Sequence, residues 1–596
     1  MQLEVIDWLI VFALFAFTLS VGIYSARRAG KDATEFFLSG RNMPWWLLGI
    51  SMVATTFSAD TPNLVTDIVR KNGVAGNWVW WAFLLTGMLT VFIYARLWRR
   101  SGVLTDIEFY ELRYSGRSAA FLRGFRALYL GLFFNVVIMS TVSLAAIKIG
   151  GVMLGLSPLD SVVWASLVTV AVATLGGLRA VLLSDFVLFA LAMIGAVAAA
   201  VFALNAPEVG GLASLMAAPE LAGKLSFFPE LMPASGGGYT TESINLLVSV
   251  LIIPLAVQWW SVWYPSAEPG GGGYVAQRML AARNERHARA AVLLFNAAYY
   301  GLRPWPWILV GLCSLLVFPD LASIGRAFPG LDPSIINDDL AYPAMLQRVL
   351  PPGWLGLVIA SLAAAYISTI STHLNWGSSY IVHDFYRRFL KPAASEREQV
   401  LVGRISIVVM MFIAGFIALQ LSNALQGFEI MLQIGAGTGL LFILRWFWWR
   451  INAVSEVVAM VVSFAVALGF KLGGSTLASW QELLLGVTIT TVAWVTATLL
   501  TPPADEETLK RFCRTINPGG PGWTRIYAKL GTGEVASSDR VNIPRGILCM
   551  ILGCLGVYTV LFGTGAFLYG DVALGGLLVT TAVLATLGLV RLKFND

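Results

Sequence analysis

Long apolar runs separated by short polar segments dominate the chain from Ile6 to Val590. A helix needs about 20 apolar residues to cross the hydrocarbon core of a bilayer, and most of the runs have that length. We therefore predict an all-α polytopic membrane protein with about 15 transmembrane spans. The predicted spans cover residues 6–26, 44–66, 78–98, 127–155, 159–176, 183–205, 243–264, 287–318, 353–385, 399–421, 428–449, 452–471, 481–501, 545–566 and 573–592.

The composition agrees with this pattern, because 57% of the 596 residues are hydrophobic and only 12% are charged. A soluble chain carries about a quarter of its residues as charges. The mean hydropathy of +0.74 points the same way. The first run lacks a basic segment before it and is followed by Arg27 and Arg28, which is typical of a retained span rather than a signal peptide.

The basic residues alternate between loops on the two sides of the predicted spans. If the N-terminus is outside, the inside loops hold most of the arginine and lysine residues, as the positive-inside rule requires. The outside loops then hold little beyond Arg70, Lys71, Lys224, Arg326 and Arg348. We therefore predict a multi-pass protein of the inner (plasma) membrane with a cytoplasmic C-terminus. This placement explains the net charge of +6, so we expect no nucleic-acid partner.

The second span is interrupted by polar residues at the depth where a span should be most apolar. Six hydroxyl, amide or carboxyl side chains and Pro62 fall within residues 55–63. Polar groups at mid-bilayer are costly unless they face a cavity, an ion or a partner. We predict an unwound segment whose free carbonyls and hydroxyls face a binding site. The alternative is a continuous helix whose polar side chains pack against neighbouring helices.

The seventh span is also interrupted, by Pro254 and the polar residues 258–261, and an insert of Pro, Glu and Gly follows up to Gly273. Spans two and seven lie five helices apart, so the second copy of a repeat enters the membrane from the opposite side. This arrangement is an inverted-topology repeat of five plus five helices. In such folds the broken first helix of each repeat lines the substrate site near the membrane midplane.

The predicted repeats divide the chain into successive regions. These are an N-terminal accessory helix (1–40), the first inverted repeat (41–205), an extracellular loop (206–242), the second inverted repeat (243–450), accessory helices (451–501), a cytoplasmic linker (502–544) and C-terminal accessory helices (545–596). The linker has an amphipathic pattern at residues 505–512, which predicts a short helix lying on the membrane surface. The alternative is a solvated linker.

The ninth span carries the third polar interruption. Its hydroxyl groups lie at spacings of one, three and four residues and therefore share one face of a helix. They belong to Ser368, Thr369, Ser371 and Thr372. Sodium, like other hard cations, prefers oxygen ligands, so these hydroxyls and the free carbonyls of the second span predict a neutral sodium site. The alternative is that the hydroxyls bond back to the preceding helical turn.

Three segments resemble the sodium:solute symporter family, which includes sodium–sugar, sodium–proline, pantothenate and sialic acid transporters. Residues 176–185 resemble the family's glycine-rich signature that ends in aspartate, and residues 274–283 resemble its glutamine-arginine loop. Residues 368–375, followed by 383–386, resemble its serine-rich helix ending in aspartate-x-tyrosine. The resemblance covers about residues 30–450. It implies a LeuT-like fold, a sodium ion as cofactor and sodium-coupled symport of a small polar organic solute by alternating access.

The resemblance also implies a set of sodium ligands. The family's site uses two carbonyls of the broken first core helix together with a carbonyl and two hydroxyls of the eighth core helix. Carried over to this chain, the ligands are Ala54, Phe57, Ala365, Ser368 and Thr369. Asp185 matches the signature aspartate of the family, which implies a place on the cytoplasmic exit path of the ion or in a second ion site. The alternative for Asp185 is a charge that caps a helix or sets topology near a helix start.

The solute side resembles the family less closely. Asp60 and Thr61 stand where the sugar carriers of the family have an acid-glutamine pair, and Gly273 stands where they have asparagine. These departures argue against sugar as the solute. We expect Trp260 and Tyr274 to stack on a solute or to close a gate, and the alternative is a lipid-facing aromatic belt.

Arg303 lies deep in the eighth span, near a polar substrate contact of the family. An unpaired arginine there would be costly, so we expect a carboxylate partner, which is the solute, Asp60 or Glu429. Snorkelling toward a water-filled vestibule is the alternative. Glu429 and Gln433, in the eleventh span, are the positions most similar to the gate region of the family, and we expect both to contact the solute.

We expect a secondary transporter without enzyme activity. Its partners would be a small-molecule solute and the lipid bilayer, and it would be a monomer or a weak oligomer. One alternative is a proton- or sodium-coupled amino-acid carrier of the same fold from another family. Another is an intramembrane sensor or enzyme, although the sequence has no zinc-ligand pair, Gly-x-Ser-x-Gly elbow or phosphate-binding loop.

Overall fold

The computed structural model describes residues 3–29, 38–56, 58–173, 177–235, 237–262, 268–423, 432, 435, 437–531, 534–536 and 539–592. These residues form helices, turns and loops, and no β-sheet occurs among them. The main helical segments are α1 (Val5–Ala29), α2 (Trp45–Thr56), α3 (Asp60–Asn72), α4 (Val74–Ser101), α5 (Gly116–Leu154), α6 (Pro158–Ala173), α7 (Gly177–Leu204), α8 (Thr241–Ala256), α9 (Gly273–Ala281), α10 (Glu285–Val317), α11 (Trp354–Leu390), α12 (Glu396–Ala418), α13 (Gly439–Leu444), α14 (Ala453–Leu472), α15 (Ser479–Leu500), α16 (Glu506–Ile516), α17 (Ile543–Leu568) and α18 (Val572–Arg591).

The predicted membrane spans agree with the apolar helices. Within the described residues, 11 helices are long and apolar enough to cross a membrane, and each coincides with one predicted span. Three further spans coincide with the shorter apolar helices α2, α6 and α8. The span predicted at 428–449 contains α13 and falls partly outside the described residues. The all-α polytopic class is therefore confirmed, whereas the number of spans stays a prediction.

The first predicted break lies between α2 and α3. Because α2 ends at Thr56 and α3 begins at Asp60, the second predicted span is two helices, and the alternative of a continuous helix is wrong. Ser58 and Ala59 lie outside both helices, and Phe57 lies outside the described residues. The last carbonyls of a helix have no partner within that helix. The break therefore places backbone acceptors inside the protein, where other groups must satisfy them.

The second predicted break separates α8 from α9 and is also confirmed. α8 ends at Ala256, a short 3-10 turn follows, and α9 begins at Gly273. Gly270 has a φ of 88°, and a Cβ there would lie 2.9 Å from the ring of Tyr94, so this turn requires glycine. The indole N–H of Trp98 donates to the Gly270 carbonyl at 2.7 Å. Side chains of α4 thus hold the second break in place.

The polar residues of the ninth span do not interrupt its helix. Residues Trp354–Ser379 of α11 are continuous α-helix, and a π-helical stretch completes the segment. Ser368 and Thr369 are 8% and 0% exposed. Their hydroxyl groups therefore face protein, in the middle of an unbroken helix.

A buried network of ion pairs joins α5, the segment before α9, the residue after α13 and the first turn of α14. Glu268 pairs with Arg126, and its second carboxylate oxygen lies 3.5 Å from Nη2 of Arg445. Nη1 of Arg445 lies 3.4 Å from Glu456, whose carboxylate also accepts the Tyr114 hydroxyl at 2.5 Å. The four charged side chains are at most 3% exposed. Each charge in this network depends on its opposite, because the side chains are almost fully shielded from bulk solvent.

The linker after α15 contains the predicted short helix, with protein on its apolar face. Asp505 caps α16 by accepting the Thr508 N–H at 3.0 Å. Phe512 is fully buried, and its ring centre lies 5.2 Å from that of Trp523 and 6.2 Å from that of Trp446. The helix is confirmed, its apolar face packs on protein, and its place on the membrane surface stays a prediction. That face is used to cover the end of α13.

The buried network allows a prediction about the stability of a Glu268 variant. Replacing Glu268 with Gln removes the carboxylate that Arg126 and Arg445 share, and breaking a buried ion pair costs about 3–5 kcal/mol. We expect a large fall in the apparent melting temperature of the purified protein in detergent. The matched control is Glu208→Gln, since Glu208 pairs with Arg348, which is 54% exposed, and such a pair is worth about 1 kcal/mol or less. Equal melting temperatures for the two variants would contradict the prediction.

Candidate ion and solute site

Three helices meet around a buried carboxylate. Asp185 lies two turns inside α7, is 0% exposed, and α7 packs against α2 and α11. Its Oδ2 accepts the hydroxyl of Ser51 on α2 at 2.7 Å, and its Oδ1 accepts the hydroxyl of Ser368 on α11 at 2.5 Å. The alternative that Asp185 caps a helix start is therefore wrong. This carboxylate instead joins three helices through side-chain hydrogen bonds.

A second hydrogen bond ties α11 to the first break. The hydroxyl of Thr369 donates to the carbonyl of Thr55 at 3.0 Å. Thr55 is the penultimate residue of α2, so its carbonyl has no partner within the helix. The alternative that the hydroxyl of Thr369 bonds back along its own helix is therefore wrong. An oxygen of α11 and a free carbonyl of α2 thus come within hydrogen-bond distance of each other.

The structure gathers most of the predicted sodium ligands in this region. Ala54 and Ala365 are buried, at 5% and 4% exposure, on the same two helices as the Thr369 contact. Ala365 precedes Ser368 and Thr369 by about one helical turn and therefore shares their face. Phe57 lies outside the described residues. The role of these residues as ligands stays a prediction.

Arg278 brings a positive charge to the same cluster. It lies on α9, is 0% exposed, and its Nη2 is 3.4 Å from the hydroxyl of Ser51 and 3.3 Å from that of Thr55. Its charge also interacts with that of Asp185. Neither Ser51 nor Arg278 was among the predicted site residues. Ser51 and Thr55 are one helical turn apart in the interrupted span, and this spacing was the available signal.

Arg303 is bonded to the backbone of the first break. Its Nη1 donates to the carbonyl of Val53 at 3.2 Å, and its Nη2 donates to that of Thr56 at 3.1 Å. The guanidinium carbon lies 4.1 Å from the ring centre of Tyr299 and 4.8 Å from that of Trp307. Because Arg303 is 0% exposed, the alternative of snorkelling into a vestibule is wrong. Two carbonyls accept hydrogen bonds from Arg303 and Asp60 is a charged neighbour, while Glu429, another expected partner, lies outside the described residues.

Asp60 and Thr61 lie where α3 begins, on the other side of the break. The Thr61 hydroxyl is 3.4 Å from the Thr56 carbonyl. Oδ1 of Asp60 is shielded from solvent and has no hydrogen-bond partner within the described part of the chain. A buried carboxylate oxygen in this state is a ready acceptor for a donor group.

Tyr274 lies near the start of α9, whose first residues are held by Asp106. Asp106 accepts the N–H of Gly273 at 2.7 Å, and burial raises the pKa of its carboxyl. Tyr274 is 1% exposed, with the Arg278 guanidinium 5.5 Å from its ring centre. The alternative of a lipid-facing belt is therefore wrong for Tyr274. A cavity of about 40 Å³ lies beside it, lined also by Thr86, Thr90, Glu268, Asn296 and Tyr300.

Trp260 lies in the turn after α8. Its ring packs edge to face with Trp259, with the ring centres 5.5 Å apart. Its carbonyl lies so close to Gly439 that a Cβ there would come within 1.6 Å, so the turn packs directly against α13. Glu429 and Gln433, the other predicted solute contacts, lie outside the described residues.

The profile of the Sodium:solute symporter family matches residues 36–463 of this chain. The chain is 26% identical over 521 residues to the sodium/glucose cotransporter of Vibrio parahaemolyticus, covering 84% of this chain and 91% of that protein. It is also 26% identical over 493 residues to the sodium/mannose cotransporter of Bos taurus, with 78% of each covered. The alternative of a carrier from another family is therefore wrong.

A solved structure supports the fold. The substrate-bound outward-open state of a sodium-coupled sialic acid symporter matches with a TM-score of 0.63 and 22% identity. The match covers 84% of this chain and 99% of that one. The predicted LeuT-like inverted-repeat core is confirmed.

The cluster around Asp185 leads to a prediction about stability. Ser51→Ala removes one of two hydroxyl donors to a buried carboxylate, and hydrogen bonds to charged groups contribute about 1.5–3 kcal/mol. We expect a clear fall in apparent melting temperature in sodium-free buffer. The control is Ser140→Ala, because the buried hydroxyl of Ser140 donates only to the Val136 carbonyl of its own helix at 2.7 Å. Equal effects of the two substitutions would contradict the importance of the Asp185 cluster.

Proposed function

Because the chain belongs to the sodium:solute symporter family, we propose that it is a membrane transporter that couples sodium entry to the symport of a small polar organic solute. Transport proceeds by alternating access and forms no covalent intermediate. The protein is not an enzyme and acts as a monomer or weak oligomer without a nucleic-acid partner. It lies in the inner (plasma) membrane with its N-terminus outside and its C-terminus in the cytoplasm.

The observation that carries this proposal is the contact between the first break and α11. The hydroxyl of Thr369 reaches the carbonyl of Thr55 at 3.0 Å, so oxygen atoms of the two segments converge. Carbonyl and hydroxyl oxygens are the ligands that a hard cation prefers. Sodium is bound there as cargo by the carbonyls of Ala54, Phe57 and Ala365 and the hydroxyls of Ser368 and Thr369.

Asp185 serves the same ion on its way to the cytoplasm or in a second site. Its two hydroxyl partners come from α2 and α11, the helices that supply the proposed ligands. Arg278 offsets its charge when no ion is near. Because hydroxyl donors and a guanidinium already interact with this carboxylate, it binds a cation only weakly and releases it readily.

The solute binds next to the first break, by Asp60, Thr61 and Tyr274. The free oxygen of Asp60 suits a hydroxyl or amine donor of the solute. Two of the five N–H donors of Arg303 are used by carbonyls of the first break. The departures at Asp60, Thr61 and Gly273 argued against sugar, but the Asp60 oxygen supplies an acceptor for hydroxyl groups at that place. We therefore favour a neutral solute with several hydroxyl groups, the class to which the glucose and mannose of two relatives belong. Trp260, Glu429 and Gln433 belong to the gate over this site.

Coupling follows from the position of the ion between the two repeats. Sodium binding orders the end of α2 and so favours solute binding, and the solute favours sodium to the same degree because the coupling free energy is reciprocal. The membrane potential contributes about 2.3 kcal/mol per charge per 100 mV to the inward movement of sodium. Release follows when the repeats rock and the low sodium concentration of the cytoplasm empties the site.

Uptake into proteoliposomes tests this function. With an inward sodium gradient we expect accumulation of at least one labelled solute among glucose, mannose, myo-inositol and sialic acid, and no accumulation when choline replaces sodium. Ser368→Ala should reduce sodium-driven uptake at least about tenfold, since it removes a proposed ligand and a donor to Asp185. Ser140→Ala is the control and should transport normally. Uptake that is indifferent to sodium would overturn the proposal.

A further inference from the structure

The guanidinium of Arg303 holds an unusual position, because it is bonded to the main chain next to the proposed sodium ligands. Its two Nη atoms donate to the carbonyls of Val53 and Thr56. In sequence, Val53 precedes Ala54, and Thr56 precedes Phe57. Arg303 therefore bonds the residue immediately before Ala54 and the residue immediately before Phe57, whose carbonyls are the proposed sodium ligands of the first break.

These two hydrogen bonds matter because of how α2 ends. A helix leaves its last four carbonyls without helical partners, and in α2 these belong to residues 53–56. Arg303 donates to the first and the fourth, and the hydroxyl of Thr369 donates to the third, that of Thr55. The hydroxyls of Thr56 and Thr61 add local bonds to the first and the fourth. The remaining carbonyl of the four is that of Ala54. With its neighbours on both sides held, this carbonyl has little freedom to turn.

The guanidinium is itself held firmly. The rings of Tyr299 and Trp307 lie against it, at 4.1 and 4.8 Å from the guanidinium carbon. Tyr299 belongs to a π-helical stretch of α10, and Pro304 begins the next helical turn directly after Arg303. A planar fork of N–H donors fixed by stacking matches two carbonyls at once, which a lysine ammonium does not.

We propose that Arg303 is a positioning residue of the sodium site. Its guanidinium fixes the last turn of α2 so that the carbonyl of Ala54 faces the ion, and it thereby ties α10 of the predicted second repeat to a ligand of the first. This inference rests on the proposed function. It differs from the family-based expectation for this position, which is a contact with the solute.

The charge of Arg303 lets the direction of the change in sodium affinity distinguish the possible roles of this residue. A cation close to a cation site repels sodium, so if Arg303 acted only through its charge, its removal would tighten sodium binding. If Arg303 acts through the backbone, its removal weakens sodium binding in spite of the relieved repulsion. If Arg303 contacts only the solute, sodium binding without solute does not change.

Arg113 provides a matched control. It is also 0% exposed, donates to two backbone carbonyls, those of Arg445 and Trp448, at 2.9 Å each, and stacks on aromatic rings that include Phe512. These contacts lie at the end of α13 and on α16, instead of on α2 and α11. Arg113→Gln therefore removes the same kind of interaction from a place that the proposed sodium site does not use.

The experiment measures binding of radioactive sodium to the purified full-length protein in detergent, without solute and with choline as the balancing cation. We expect Arg303→Gln and Arg303→Lys to raise the apparent Kd for sodium at least about tenfold, as loss of a group that orients ligands does. Arg113→Gln should leave this Kd unchanged even if it lowers the melting temperature equally. Trp307→Leu, which loosens the stacking but keeps Arg303, should weaken sodium binding to a smaller extent.

Unchanged or tighter sodium binding by Arg303→Gln would overturn the inference while the proposed function stands. Unchanged binding by Arg303→Lys would show that charge, and not the two-carbonyl geometry, is what matters. If Arg303→Gln does not fold, Arg303→Lys and Trp307→Leu decide the question. If the unaltered protein binds no sodium, the proposed function fails together with the inference.

Discussion

Unpaired carbonyl groups at the end of α2 are the constraint around which the centre of this protein is built. A helix that stops inside a membrane protein leaves its last carbonyls with no water to bond them, so the surrounding protein or a cargo must supply partners. Here the partners come from α10, through Arg303, and from α11, through Thr369. Both are distant in sequence. The break thereby forces the two predicted repeats to meet at one place.

Three buried arginines connect distant segments by the same combination of aromatic stacking and hydrogen bonds. Arg303, Arg113 and Arg445 are each at most 2% exposed, and each lies over aromatic rings while donating to backbone carbonyls or side-chain oxygens. A guanidinium is suited to this role because it has five N–H donors in a plane and flat faces that stack. These arginines hold neighbouring helices in a fixed arrangement. Lysine would supply the charge without the geometry.

The Asp185 cluster and the Glu268 network connect helices by different kinds of interaction. The Asp185 cluster connects α2, α7 and α11 through hydroxyl groups, whose hydrogen bonds exchange partners at lower cost than ion pairs do. The network of Glu268 with Arg126 and Arg445 consists of full charges, which separate only at high cost. Hydrogen bonds at the proposed ion site and ion pairs near the second break suit a protein whose repeats rock as units around a fixed site.

The sequence by itself determined the features that arise from local desolvation. Polar residues within apolar runs predicted both helix breaks and the hydroxyl face at Ser368, because a span must satisfy its own backbone and side chains wherever it is interrupted. Family resemblance added Asp185 and the sodium ligands, of which Phe57 lies outside the described residues.

Only the tertiary structure decided which groups meet. Arg303 donates to two carbonyls that lie 250 and 247 residues away in sequence. The pairing of Ser51 with Asp185 and the packing of Phe512 on protein rather than lipid have the same origin. Periodicity reports which face of a helix avoids lipid. The partner across that face is set by how distant helices pack, and no local pattern carries that information.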